Sequence, residues 1–108
     1  MAKVGVWLSY DLGVDGDYEA LYEWLDSRQA RECGDSVAFF TTPFSMDVAH
    51  AITTELKRRI KLRRRDRIYL IFPRKDGKYT GRFLIGSRKH APWAGYAVAT
   101  AGEEDASC

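Results

Sequence analysis

The chain has 108 residues, 45% of them hydrophobic and 30% charged, with a formal net charge of +2. That length fits one domain with a single core, and the composition is that of an ordinary globular protein rather than a disordered one. No apolar stretch is long enough to span a bilayer and no basic-then-apolar leader opens the chain, so the expected compartment is the cytoplasm. Two cysteines, Cys33 and Cys108, lack metal-ligand spacing and are too few for a disulfide framework.

The first predicted element is a strand over Val4–Tyr10, apolar enough to read as buried on both faces, which ends at Asp11. A loop with Gly13 and Gly16 leads to Asp17, placed as a helix N-cap. Tyr18, Leu21, Tyr22 and Leu25 then follow helical spacing in a stretch reaching Arg31, with Gly34 as the stop signal. A second strand is expected over Ser36–Thr42. The second helix is expected from a Ser45 cap, with Val48, Ala49, Ile52, Leu56 and Ile60 on one side. Ile68–Phe72 is predicted as an interior strand, Asp76-Gly77 as a hairpin turn, Arg82–Ile85 as the next strand and Tyr96–Ala99 as a short last one. This order predicts an α+β, ferredoxin-like (βαββαβ) sandwich with an additional C-terminal strand. It occupies a single domain over residues 1–101, followed by a flexible acidic tail over 102–108.

Charge is unevenly distributed. Between Asp11 and Asp35 eight carboxylates face only Arg28 and Arg31, whereas between Lys57 and Arg67 eight cations face only Asp66. Lys57, Arg58, Lys61, Arg64 and Arg65 would form one stripe if the second helix persists that far, and nucleic-acid phosphate is the expected partner. Arg74, Lys75, Lys78, Arg82, Arg88 and Lys89 would add a second basic edge around the hairpin. Most aromatics, including Trp7, Trp24, Phe39, Phe40, Phe72 and Phe83, read as core. The strand over 68–72 lacks the pattern of an RNA-recognition motif, so base stacking on the sheet is not expected. His50 and His90 have no partner at catalytic spacing, and no small-molecule cofactor is evident.

Asp11 is the candidate for chemistry. A single carboxylate is a poor Mg²⁺ site, but a two-fold axis would supply a second copy and with it a second Asp11. Ser9-Tyr10-Asp11-Leu12, Asp17-Tyr18-x-x-Leu21-Tyr22, Ser36-Val37-Ala38-Phe39-Phe40 and Trp93-Ala94-Gly95 carry a resemblance to a known family. The chain resembles the small CRISPR-associated nuclease subunit of the spacer-acquisition machinery (the family numbered two) and its VapD-like toxin relatives, within a divergent stand-alone branch. The resemblance covers roughly residues 4 to 99. It implies a homodimer with the last strand pairing at the dimer edge and Mg²⁺ or Mn²⁺ between the two Asp11 side chains. It also implies cleavage of DNA or RNA, or scaffolding of DNA without cleavage. Asp11 matches the family's catalytic aspartate and Tyr10 the tyrosine that precedes it. The chain departs from the family in carrying Asp15, Asp17, Glu19 and Glu23 where arginines are frequent, which would repel a polyanion from that flank. The readings are therefore a metal-dependent endonuclease, a non-catalytic nucleic-acid-binding or assembly module, and a toxin-like ribonuclease.

Overall fold

A computed structural model describes residues 2–97. The fold is α+β: strands β1 (Lys3–Asp11), β2 (Arg31–Glu32), β3 (Val37–Pro43), β4 (Arg67–Pro73) and β5 (Tyr79–Ile85), with helices α1 (Tyr18–Ser27) and α2 (Val48–Arg59). The strands form one antiparallel sheet in the order β2-β3-β1-β4-β5.

The period-2 alternation of a strand places Val6 and Leu8 of β1, Ala38 and Phe40 of β3, and Ile68, Leu70 and Phe72 of β4 on one face. All are buried there with Leu21, Trp24 and Leu25 of α1 and Val48, Ala49, Ile52 and Leu56 of α2. Each fully buried aliphatic side chain contributes about 2 kcal/mol of transfer free energy. Trp24 anchors the seam between helices and sheet, its ring 5.4 Å from that of Phe40 and edge-on to it. Its Nε1 donates to Glu55 of α2 at 3.0 Å, and Arg28 pairs with the same carboxylate.

Both helices lie on that one face, so β1 is buried on one side only. Trp7 is 37% exposed, and Ser9 and Asp11 also point away from the core. Trp7, Phe39 and Phe83, expected in the core, instead belong to the uncovered face. The cross-strand pairs Trp7↔Phe39, Trp7↔Ile71 and Tyr69↔Phe83 lie there.

Helix α1 stops at Ser27, short of Arg31. Gln29 adopts a left-handed backbone (φ 56°), and its N–H and that of Ala30 donate to the carbonyls of Asp26 and Leu25. This is a Schellman closure with glutamine where glycine is favoured. Gly34 serves instead in the turn before β3. Gln29→Gly is expected to raise stability by about 0.5–1 kcal/mol, by relieving the Cβ penalty of that conformation. Urea unfolding would show it as a higher midpoint at unchanged slope.

The short β2 goes unpredicted because two exposed residues carry no periodicity. The predicted strand over Tyr96–Ala99 is not seen where it can be checked. Tyr96 and Ala97 lie in a turn, while Val98 and Ala99, like the tail over 102–108 and Cys108, fall outside the described residues.

Candidate nucleic-acid interface

Asp11 closes β1 directly opposite Arg67, the first residue of β4. Cross-strand neighbours of opposite charge attract, and Arg67 Nη2 donates to Asp11 Oδ2 at 2.8 Å. The Asp11 side chain is nonetheless 63% exposed, because it stands on the face the helices leave uncovered. It borders a cleft of about 380 Å³ lined by Ser9, Asp11, Arg67, Tyr69, Phe83 and Arg88. The guanidinium groups of Arg67 and Arg88 lie 5.9 and 5.6 Å from the Phe83 ring centroid, within cation–π range. Arg67 Nε is buried without a hydrogen-bond partner.

Tyr10 does not join this site. Alternation turns it to the helix face, where its ring meets those of Tyr18 and Tyr22 at 6.4 and 6.1 Å. Burial, reinforced by the Tyr22 and Tyr18 hydroxyls and the Asp35 carboxylate, raises its pKa above that of an ordinary phenol. Adjacent in sequence, Tyr10 and Asp11 therefore face opposite sides of the sheet.

The basic block is divided by the end of α2. The helix closes at Arg59, and Ile60 is extended and buried. Lys57 and Arg58 stand on the last helical turn, where they offset the helix dipole. Lys61, Arg64 and Arg65 lie beyond it, so the expected helical stripe does not form. A different group assembles instead. Arg64 and Arg65 share a cleft of about 520 Å³ with Arg67, Ser87 and Lys89, the last two from the segment after β5. Gly86 makes this approach possible. Its backbone is left-handed (φ 77°), and a Cβ there would stand 2.7 Å from the Asp66 carbonyl oxygen and 2.8 Å from Arg67 Cγ. Of the second predicted basic edge, Arg88 and Lys89 thus belong beside the 61–67 loop. Arg74 stays at the opposite end of the sheet, paired with Asp76, and Arg82 lies over the Phe72 ring.

Two carboxylates hold the loop in shape. Asp66, 1% exposed, accepts from the backbone N–H of Arg63 at 2.8 Å and of Gly13 at 3.0 Å. It thereby joins the loop after β1 to the loop after α2. Asp17 caps α1 by accepting from Ala20 N–H at 3.2 Å, and with its other oxygen accepts from Lys61 N–H at 2.9 Å. Helix α2 is capped in the same way, by Asp47 accepting from His50 N–H, rather than by Ser45. The backbone hydrogen bonds from Lys61 and Ala20 hold Asp17 below the ordinary carboxylate range. At Glu55 burial acts upward, but the hydrogen bonds from Arg28 and Trp24 outweigh it and hold the carboxyl low. A carboxylate whose folded pKa is depressed stabilises the fold above its unfolded pKa and ceases to do so as pH falls through the folded value. Thermal melting is therefore expected to be flat near neutrality and to drop below the ordinary carboxylate range. Asp17→Asn/Glu55→Gln should flatten that drop; an unchanged profile would refute this assignment.

Arg67 and Lys89 belong to the two predicted basic edges, whereas the role of Asp66 is one that sequence reasoning missed. The one available signal was its place as the lone acid inside a run of eight cations. Among the described residues no group of three or more His, Cys, Asp or Glu side chains is placed to hold a metal ion. The donor set at Asp11 is one carboxylate with an oxygen committed to Arg67, which within one chain does not fit Mg²⁺. No described helix is long and apolar enough to cross a membrane. Compared with known protein families, with curated proteins and with solved structures, the chain matches none.

Proposed function

We propose that this protein is a nucleic-acid-binding module that holds the phosphate backbone in the cleft between the 61–67 loop and the segment after β5. The observation that carries the reading is the convergence of Arg64, Arg65 and Arg67 with Ser87 and Lys89, from two chain segments about twenty residues apart. The one acid in that loop is buried, with both oxygens already bonded to N–H groups. An arginine fork matches phosphate geometry, and a buried Asp66 leaves the outward field positive. Two acids of the first third reach that loop, Asp17 accepting from Lys61 N–H and Asp11 pairing with Arg67, while among the described residues Arg64, Arg65 and Lys89 have no ion-pair partner and supply the cleft's positive field. The reading is tested by fluorescence anisotropy with a 20-base-pair duplex across salt concentrations. Three to five neutralised phosphates predict a log–log salt slope of about −3 to −5. No binding at low salt would overturn it.

On this reading the architecture is ferredoxin-like. β1-α1-β2-β3-α2-β4 follows the βαββαβ order with a two-residue second strand, and β5 extends the sheet beyond β4.

A second reading is favoured by the exposure of Asp11 on the uncovered face. It is the metal-dependent endonuclease homodimer that the resemblance to the CRISPR-associated nuclease subunit implies, in which a second copy supplies the missing carboxylate for Mg²⁺ or Mn²⁺. It predicts cleavage of labelled DNA or RNA that needs the metal and is lost in Asp11→Asn while binding persists. Cleavage of RNA alone, with growth arrest on expression, would mark the toxin-like form. A wild-type protein that cuts neither with either metal excludes the enzyme readings.

A further inference from the structure

The sheet face opposite the helices carries five rings: Trp7 on β1, Phe39 on β3, Tyr69 on β4, and Phe83 and Tyr79 on β5. They form two groups. Trp7 lies 4.9 Å from Phe39 and 5.8 Å from Tyr79, and Tyr69 lies 4.8 Å from Phe83. Two glycines seat these rings against the sheet. A Cβ on Gly5 would stand 2.8 Å from Phe39 Cε1 and Cζ, and one on Gly81 would stand 2.6 Å from Tyr69 Cζ. Rings lying over bare backbone cover it on one side and leave the other side to solvent. The Tyr79 hydroxyl donates to the Gly5 carbonyl at 3.2 Å, fixing the far edge of the first group. Trp7 is 37% exposed and Tyr79 50%.

From this face we infer that the open sheet is a stacking platform for the unpaired bases of a single-stranded polynucleotide. The inference rests on the phosphate-binding reading above and names its substrate class. Aromatic side chains on an open sheet give sequence-tolerant stacking because every base has a π-face. The backbone must be held nearby by cations, and here it is. Arg67 lines both the aromatic cleft at Asp11 and the basic cleft of the 61–67 loop, and Arg88 flanks the same Phe83 ring. A strand whose phosphates sit between Arg64, Arg65 and Lys89 has its next bases at Tyr69 and Phe83, and those beyond at Trp7 and Phe39. A duplex offers no free base faces and would use the basic cleft alone. A second copy of this chain is the less suited occupant. It would bury the Asp11–Arg67 pair and Ser9 twice over, with the desolvation that entails, whereas a single strand leaves them at a wet rim.

The experiment compares a labelled dT12 strand with a 12-base-pair duplex of mixed sequence, binding to wild type, Trp7→Leu and Tyr69→Leu by anisotropy. Sedimentation is run on each protein without ligand. Leucine keeps these positions apolar but removes the stack, and circular-dichroism melting confirms folding. If a variant does not fold, the quenching of tryptophan fluorescence in Trp93→Phe by dT12 but not by duplex reads the same contact, because Trp24 is buried and Trp7 is then the exposed tryptophan. The expected result is a loss of at least about tenfold for dT12 in either variant, with duplex affinity within about twofold of wild type. Equal loss for both ligands, or no loss for either, overturns the platform while leaving phosphate binding intact. Variants that turn a wild-type dimer into monomers without selectively losing dT12 assign the face to a second copy and also overturn it. A wild type that binds neither ligand fails the phosphate-binding reading itself.

Discussion

Asp66→Ala is expected to destabilise the fold by about 3 kcal/mol, because it removes two hydrogen bonds to a charged acceptor and leaves two backbone N–H groups without partners. For a domain of this size that is a fall in melting temperature of about 10–20 °C. The loss is not local, since Asp66 ties together segments 53 residues apart in the chain. Asp66→Asn retains one acceptor and should fall between alanine and wild type. The loop between α2 and β4 should also open in the alanine variant. Its run of Arg63, Arg64 and Arg65 makes limited trypsin digestion a direct readout, with cleavage there accelerated relative to wild type. A variant that melts and digests like wild type would show that the joint is not maintained by this carboxylate.

Arg64→Ala/Arg65→Ala is expected to have the largest effect on ligand affinity. Each phosphate contact removed lowers the salt slope by about one, so the double variant should lose about two from the slope and roughly 10- to 100-fold in affinity at low salt. Both side chains are exposed, so the melting temperature should change little. The loss should be similar for duplex and single strand, because it concerns phosphate rather than bases. Arg74→Ala/Lys75→Ala, at the other end of β4, removes the same charge away from the cleft and should leave the slope almost unchanged. Equal losses in the two double variants would mean that the protein attracts polyanions by its general field and has no site at the 61–67 loop.

The elements themselves were legible because they depend on local pattern. Apolar runs rich in β-formers announced β1, β3 and β4, and a 3.6-residue apolar stripe announced both helices, but β1 reads as buried on both faces where the structure buries one. Asp17 was recognisable as a cap for the same reason: its partner, the Ala20 N–H, is three residues away. Boundaries were less legible. The left-handed Gln29 that stops α1 is not a residue type that advertises that backbone, and the two-residue β2 has no period to detect.

The candidate site was visible only in part. Asp11 and the basic run could be named from residue type, but what they touch could not. The burial of one face rather than two depends on where the helices settle, and that moved Trp7, Phe39 and Phe83 from the expected core to the uncovered face. Register decides that Asp11 meets Arg67, 56 residues away, and pleat decides that Tyr10 turns from it. The end of α2 at Arg59 replaced a helical stripe with a cleft completed by Lys89. By itself the sequence determined the α+β class, both helices, four of the five strands and the concentration of cations before β4, because hydrophobic period and charge are properties of neighbouring residues. Only the tertiary structure decided which cations share a cleft, which aromatics meet solvent and which acid is buried to hold the loop. Those depend on pairing between segments tens of residues apart, which local pattern does not encode.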